Sequence, residues 1–167
     1  MIFLGIGSNL SSSFGDRFAN IDLSIFHLKS SNIKIVKKSS FYETPSYPDA
    51  SNPKFINDVV SVETNLSAVD LMSLLISIER KIERERKVKN APRTCDIDIL
   101  DYNGQIIQAE YDDKEFLIPH KKLSKRNFVL YPLKEISPKW KHPETNELIE
   151  DLIDKLSLTQ KNSILKI

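Results

Sequence analysis

Two aspartates one residue apart, Asp96 and Asp98, close the run Asn90-Ala91-Pro92-Arg93-Thr94-Cys95-Asp96-Ile97-Asp98-Ile99-Leu100. The run ends as a strand, because Ile97, Ile99 and Leu100 are β-branched or apolar and Gly104 supplies a turn signal soon after. Side chains alternate along a strand, so both carboxylates point one way and the two isoleucines the other. Carboxylates about 7 Å apart on one strand face repel unless water or a cation stands between them. Mg²⁺ suits that place: it takes one or two carboxylates and fills its octahedron with waters and phosphate oxygens. Upstream, Pro92 stiffens the approach and Arg93 offers a permanent bidentate phosphate donor. The grouping points to chemistry on a nucleotide; the bare pair also suits the solvated face of an edge strand.

Several elements must position these residues. Ile2 to Ile6 reads as a buried strand stopped by Gly7-Ser8-Asn9, and the third glycine of a dinucleotide fingerprint is missing. A helix is expected from about Asp16 to Lys29, with Phe14, Phe18, Ile21, Ile25 and Leu28 as its core stripe. Ile33 to Tyr42 reads as a second strand, Ser46 to Pro53 as a long loop, and Phe55 to Thr64 as a third strand. Ser67 and Asp70 form a capping box for a helix whose stripe is Leu71, Leu74, Leu75, Ile78 and Ile82. The order strand-helix-strand-strand-helix-strand predicts an α/β (α+β) fold, the ferredoxin-like split βαβ, with both helices on one face of an antiparallel sheet. Ile2–Ile6 and Asp96–Leu100 are expected among its central strands. Further on, Ile106-Ile107 reads as a short strand, Glu110 to Glu115 as an acidic surface loop, and Leu148 to Leu158 as a last helix.

The chain has 167 residues, enough for one domain, 1–167, with a core that needs no disulfide or structural metal. Its 24 Lys and Arg against 23 Asp and Glu create no field pointing to nucleic acid or membrane. The single Cys95 excludes a disulfide framework or a Cys-based zinc site and reads as a small filler on the strand. No secretory signal or membrane-length apolar run is seen, so a cytoplasmic protein is expected.

The run from Lys89 to Leu100 resembles one family, the 6-hydroxymethyl-7,8-dihydropterin pyrophosphokinases of folate biosynthesis, through Lys89, Ala91, Pro92, Arg93, Asp96, Ile97, Asp98, Ile99 and Leu100. Gly7-Ser8-Asn9-Leu10 resembles the family's opening, and Pro119-His120, Arg126, Phe128 and Pro132-Leu133 its second signature. The resemblance implies transfer of the β,γ-pyrophosphoryl unit of ATP to a hydroxymethyl pterin by a monomer handling small molecules. It implies two Mg²⁺ ions on Asp96 and Asp98, with Arg84 and Arg93 also catalytic. Glu79, Arg86, Arg93, Ile99, His120, Lys121 and Arg126 would bind ATP. Gly7, Thr44, Pro45, Phe55, Asn57 and Phe128 would bind the pterin, the two phenylalanines stacking on it. The segment from Arg84 to Pro92 would be a mobile lid, here without the family's usual Trp. Lys121 and Phe55 stand where the family often has an aromatic residue and a Tyr.

Two other readings of the fold remain: a domain that binds a small regulator without catalysis, and a sheet that binds RNA through strand aromatics, although no RNP-type pattern occurs.

Overall fold

The computed structural model describes residues 1–84 and 91–167. The first apolar run forms β1 (Ile2–Ser8), followed by α1 (Arg17–Ser30), whose N-cap Asp16 accepts from the Ala19 amide at 2.9 Å. The expected second strand is two, β2 (Lys34–Lys38) and β3 (Tyr42–Thr44). The chain breaks between them because Ser39 turns to the next strand, its hydroxyl accepting the Val59 N–H at 3.0 Å. Both pair with successive halves of β4 (Phe55–Glu63). Ser67 caps α2 (Ala68–Lys81) as read from the sequence, and β5 (Asp96–Tyr102) carries the aspartate pair.

The sheet is antiparallel, in the order β5-β1-β4-β3, with β2 also beside β4. The interior of β1 pairs on both sides, whereas β5 is an edge strand, not the central one expected. The stripes of α1 and α2 cover one face: Ile21, Leu28, Leu71, Leu75 and Ile78 join Ile2, Leu4, Ile6, Ile97 and Ile99 in one core. Each such fully buried aliphatic contributes about 1.5–3 kcal/mol. Phe14 does not join them; it sits before the helix in the Ser12–Gly15 turn and is 56% exposed.

Helices cover the other face as well, contrary to expectation. The segment from Asn127, to which the sequence reading assigned no element, is α3 (Asn127–Ile136), and with α4 (Ile149–Asp154) it packs on Phe3, Val59 and Leu100. A register shift opposite Phe3/Leu4 in the β1–β5 pairing turns both Leu100 and Asp101 to this side, where Asp101 accepts the Trp140 indole N–H at 2.7 Å. The expected acidic loop is instead the turn of a hairpin, β6 (Ile107–Tyr111) with β7 (Lys114–Ile118). Asp112 and Asp113 supply the two positive φ angles, 54° and 57°, that such a tight turn requires. The expected last helix ends early at Asp154, α5 (Leu158–Asn162) follows, and the tail adds a short strand, β8 (Leu165–Lys166), beside β3.

Candidate active site

The α3 face of the sheet is apolar at one end and polar at the other. Towards the polar end, Asp96 and Asp98 stand opposite Gly7 and Gly5 of β1, and Gly7 in turn stands opposite Asn57 of β4. A Cβ on Gly7 would lie 3.1 Å from the Asn57 Oδ1 and 3.7 Å from the Phe55 ring, so glycine keeps that floor open. Phe55 on β4 and Phe128 in the first turn of α3 are both half-buried, and no ring contact joins them.

Arginines from three segments converge on the two carboxylates. Arg84, just beyond α2, donates to one Asp96 oxygen, to the Cys95 carbonyl at 2.7 Å and to Glu79 Oε1 at 3.1 Å. Arg93 donates to the other Asp96 oxygen at 2.7 Å, and Arg126, at the start of α3, stands 3.6 Å from Asp98. Against the desolvation of its setting, Arg84 and then Arg93 hold the Asp96 carboxyl below its ordinary value. Asp98 is pushed the other way, by the protein packed around it and then by the Asp96 charge, with Arg126 opposing. The Arg93 and Arg126 guanidinia also lie 5.6 Å from the Phe55 and Phe128 ring centroids respectively.

Glu79 is 2% exposed, and its Oε1 also accepts the Ile97 N–H, on the open edge of β5, at 2.8 Å. It supports both the aspartate strand and Arg84. The His120 Nδ1 accepts the Lys122 N–H at 2.9 Å, and burial, then Arg126 and Lys122, lower its pKa. His120 is therefore neutral with its proton on Nε2, which faces the Arg126 group at 3.5 Å donor to donor and keeps that hydrogen for another acceptor. Lys121 beside it is exposed.

Asn57 donates through Nδ2 to Thr44 Oγ1 at 3.0 Å and to the Tyr42 carbonyl at 3.4 Å. Its Oδ1 has no donor among the described residues. Thr44 is buried and Pro45 exposed at the start of the loop that leads to β4. Ile99 is the site residue that does not join the others: its side chain is 3% exposed in the α1/α2 core, on the opposite face from Asp96 and Asp98. Arg86 and most of the expected lid lie outside the described residues.

Sequence reasoning assigned no role to Asn9. Its side chain joins the loop after β3 to the segment before β5, through partners 37, 44 and 84 residues away. The sequence signals were its place in the Gly7-Ser8-Asn9-Leu10 motif and an amide directly after a strand. Cys95 is wholly buried, and burial and the Glu79 and Asp96 carboxylates push its thiol far up, which makes it the inert filler expected.

The donor set fits Mg²⁺. Asp96 and Asp98 share one face and keep 26% and 47% of their side-chain surfaces open. No cluster of three or more His, Cys, Asp or Glu residues that could hold a metal occurs among the described residues. A cation here would complete its shell with water and phosphate, which is the Mg²⁺ habit.

The family model described as 7,8-dihydro-6-hydroxymethylpterin-pyrophosphokinase (HPPK) matches residues 3–138. The 2-amino-4-hydroxy-6-hydroxymethyldihydropteridine pyrophosphokinase of Methylorubrum extorquens is 36% identical over 137 residues, covering 81% of this chain and 82% of its own. That of Aquifex aeolicus is 32% identical over 166 residues, 99% of this chain and 98% of its own. The folic acid synthesis protein fol1 of Schizosaccharomyces pombe is 35% identical over 156 residues, but the chain spans only 20% of its length. A crystal structure of Plasmodium falciparum HPPK-DHPS superposes with a TM-score of 0.75 at 15% identity, covering 99% of this chain and 46% of that one, a likeness of fold.

Proposed function

Because the chain belongs to the 7,8-dihydro-6-hydroxymethylpterin-pyrophosphokinase family, we propose that it transfers pyrophosphate from ATP to 6-hydroxymethyl-7,8-dihydropterin, a step of folate biosynthesis. The hydroxymethyl oxygen attacks the β-phosphorus and gives up its proton to water. The bond from that phosphorus to the α,β-bridging oxygen breaks, and AMP leaves with the oxygen. The observation that carries this reading is the meeting of Asp96 and Asp98 with Arg84, Arg93 and Arg126 on one sheet face, between Phe55 and Phe128.

Asp96 and Asp98 would hold two Mg²⁺ ions, which would neutralise phosphate charge and make the pterin hydroxyl a better nucleophile. The carboxylates keep the guanidinia of Arg84, Arg93 and Arg126 aimed into the cleft, where a polyphosphate offers each a stronger acceptor. His120 donates its Nε2–H to a phosphate oxygen. The flat pterin enters between the two phenylalanines, and Asn57 presents Oδ1 to donors on its edge. With the Asn57 amide hydrogens held by Thr44 and Tyr42, that oxygen cannot turn away.

We also assign the chain as one pyrophosphokinase domain, since a single sheet carries both cores, acting as a cytoplasmic monomer. No helix among the described residues is long and apolar enough to cross a membrane. The test is incubation with ATP, Mg²⁺ and the hydroxymethyl dihydropterin. AMP and pterin diphosphate should form in equal amounts, with no AMP when pterin or Mg²⁺ is omitted; release of ADP, or of AMP without pterin, would contradict the proposal.

A further inference from the structure

Asn9 lies just beyond β1, 2% exposed, at the junction of the two halves of the site. Its Nδ2 donates to Ser46 Oγ and to the Pro53 carbonyl, each at 3.0 Å. Ser46 itself donates to the same carbonyl at 2.5 Å. These two residues are the ends of the loop that joins Thr44 to Phe55, so one amide group clasps the base of the pterin-side wall. The Asn9 Oδ1 meanwhile accepts the Arg93 N–H at 2.7 Å, and the backbone amides of Asn9 and Leu10 both donate to the Arg93 carbonyl at 3.1 Å. Arg93 is the residue that reaches Asp96 and stands beside the Phe55 ring.

We propose that Asn9 is a positioning residue that couples the nucleotide and pterin halves of the site. This inference rests on the proposed function. An amide side chain is required because the position needs two donors towards one loop and one acceptor towards the other. Asn9 itself is buried and its bond to Ser46 is buried with it, while the bonds to Pro53 and Arg93 are partly buried, so leaving any of these groups unpaired carries a cost. Movement of Arg93 towards a bound polyphosphate pulls on Oδ1, and the same rigid amide plane carries the displacement to Ser46 and Pro53. Occupancy of one half therefore changes the affinity of the other, and by linkage the effect is reciprocal. Substitution need not free Arg93, since the two backbone bonds to its carbonyl do not involve the Asn9 side chain.

The test measures pterin affinity with and without saturating α,β-methylene-ATP and Mg²⁺, an analogue blocked at the bond that breaks. Wild type should bind pterin at least about fivefold more tightly with the analogue present. Asn9→Asp, which keeps the acceptor for Arg93 and removes both donors, should bring that ratio to near one while analogue affinity alone stays within about threefold. Ser46→Ala, the milder change, should give an intermediate ratio, and thermal melting establishes that each variant is folded. An unchanged ratio in either folded variant overturns the proposal, as does a wild-type ratio of one. Parallel loss of both affinities at constant ratio assigns Asn9 to the fold alone and also overturns it, leaving the family activity untouched. Failure of wild type to bind either ligand would contradict the proposed function and this inference with it.

Discussion

Under α1, Asp58 of β4 is almost wholly buried, neither of its oxygens has a hydrogen-bond partner among the described residues, and the Lys38 ammonium stands 3.7 Å away. That ammonium is shared with Asp22 of α1, at 3.0 Å. On the opposite face Asp96 accepts from Arg84 and Arg93, and Arg126 attends Asp98. Both regions place carboxylates in protein surroundings, but only the second brings charged partners from three segments and leaves the carboxylates partly open. The difference separates a buried charge that the fold tolerates from a charge cluster that can exchange partners. Desolvation, opposed by Lys38 and reinforced by Asp22, pushes the Asp58 carboxyl up to about 7.

The largest expected effect lies on the α3 face. Asp96→Ala should lower turnover by roughly a hundred- to a thousandfold while circular dichroism still reports a folded protein. Near-normal turnover at limiting Mg²⁺ would erase the distinction between the two faces.

Asp58 provides the next. Between its unfolded pKa of roughly 4 and its folded value of about 7, the native state holds a proton that the unfolded chain has lost. Its contribution to stability is full below the lower value and declines as pH rises to the upper one. Asp58→Asn should remove that decline and stabilise the protein at pH 8 by about 2–4 kcal/mol. Denaturant titrations of both proteins at pH 5 and pH 8 check this, and parallel pH dependence would refute it.

Asn57→Ala should weaken pterin binding by about 1–3 kcal/mol and leave an ATP analogue nearly unaffected, as two binding titrations would show. Equal losses for both ligands would make Asn57 part of the scaffold. The smallest effect is expected at Cys95, where a thiol reagent should label the native protein no faster than it unfolds; rapid labelling would show the core under α1 and α2 opening beside the start of β5.

The aspartate strand and the cap at Ser67 were legible because they depend on local spacing and short-range hydrogen bonds. The edge position of β5 was not, since strand order is set by pairing between distant residues such as Gly5 and Asp98. α3 was obscured by Pro132 within it, and its stability comes from packing on β4. The shared face of Gly7, Asn57 and Asp96 follows from register, which a family motif implies without explaining. Asn9 was legible as a motif residue only, because its partners belong to two other loops.

The most direct measurement is AMP release from ATP, Mg²⁺ and the hydroxymethyl dihydropterin by wild type, Asp98→Ala and Asp58→Asn side by side at pH 8. Asp58→Asn should release AMP at close to the wild-type rate, and Asp98→Ala should be slower by roughly a hundredfold or more. Comparable rates for wild type and Asp98→Ala, or loss of activity in a folded Asp58→Asn protein alone, would contradict the assignment of the chemistry to the α3 face.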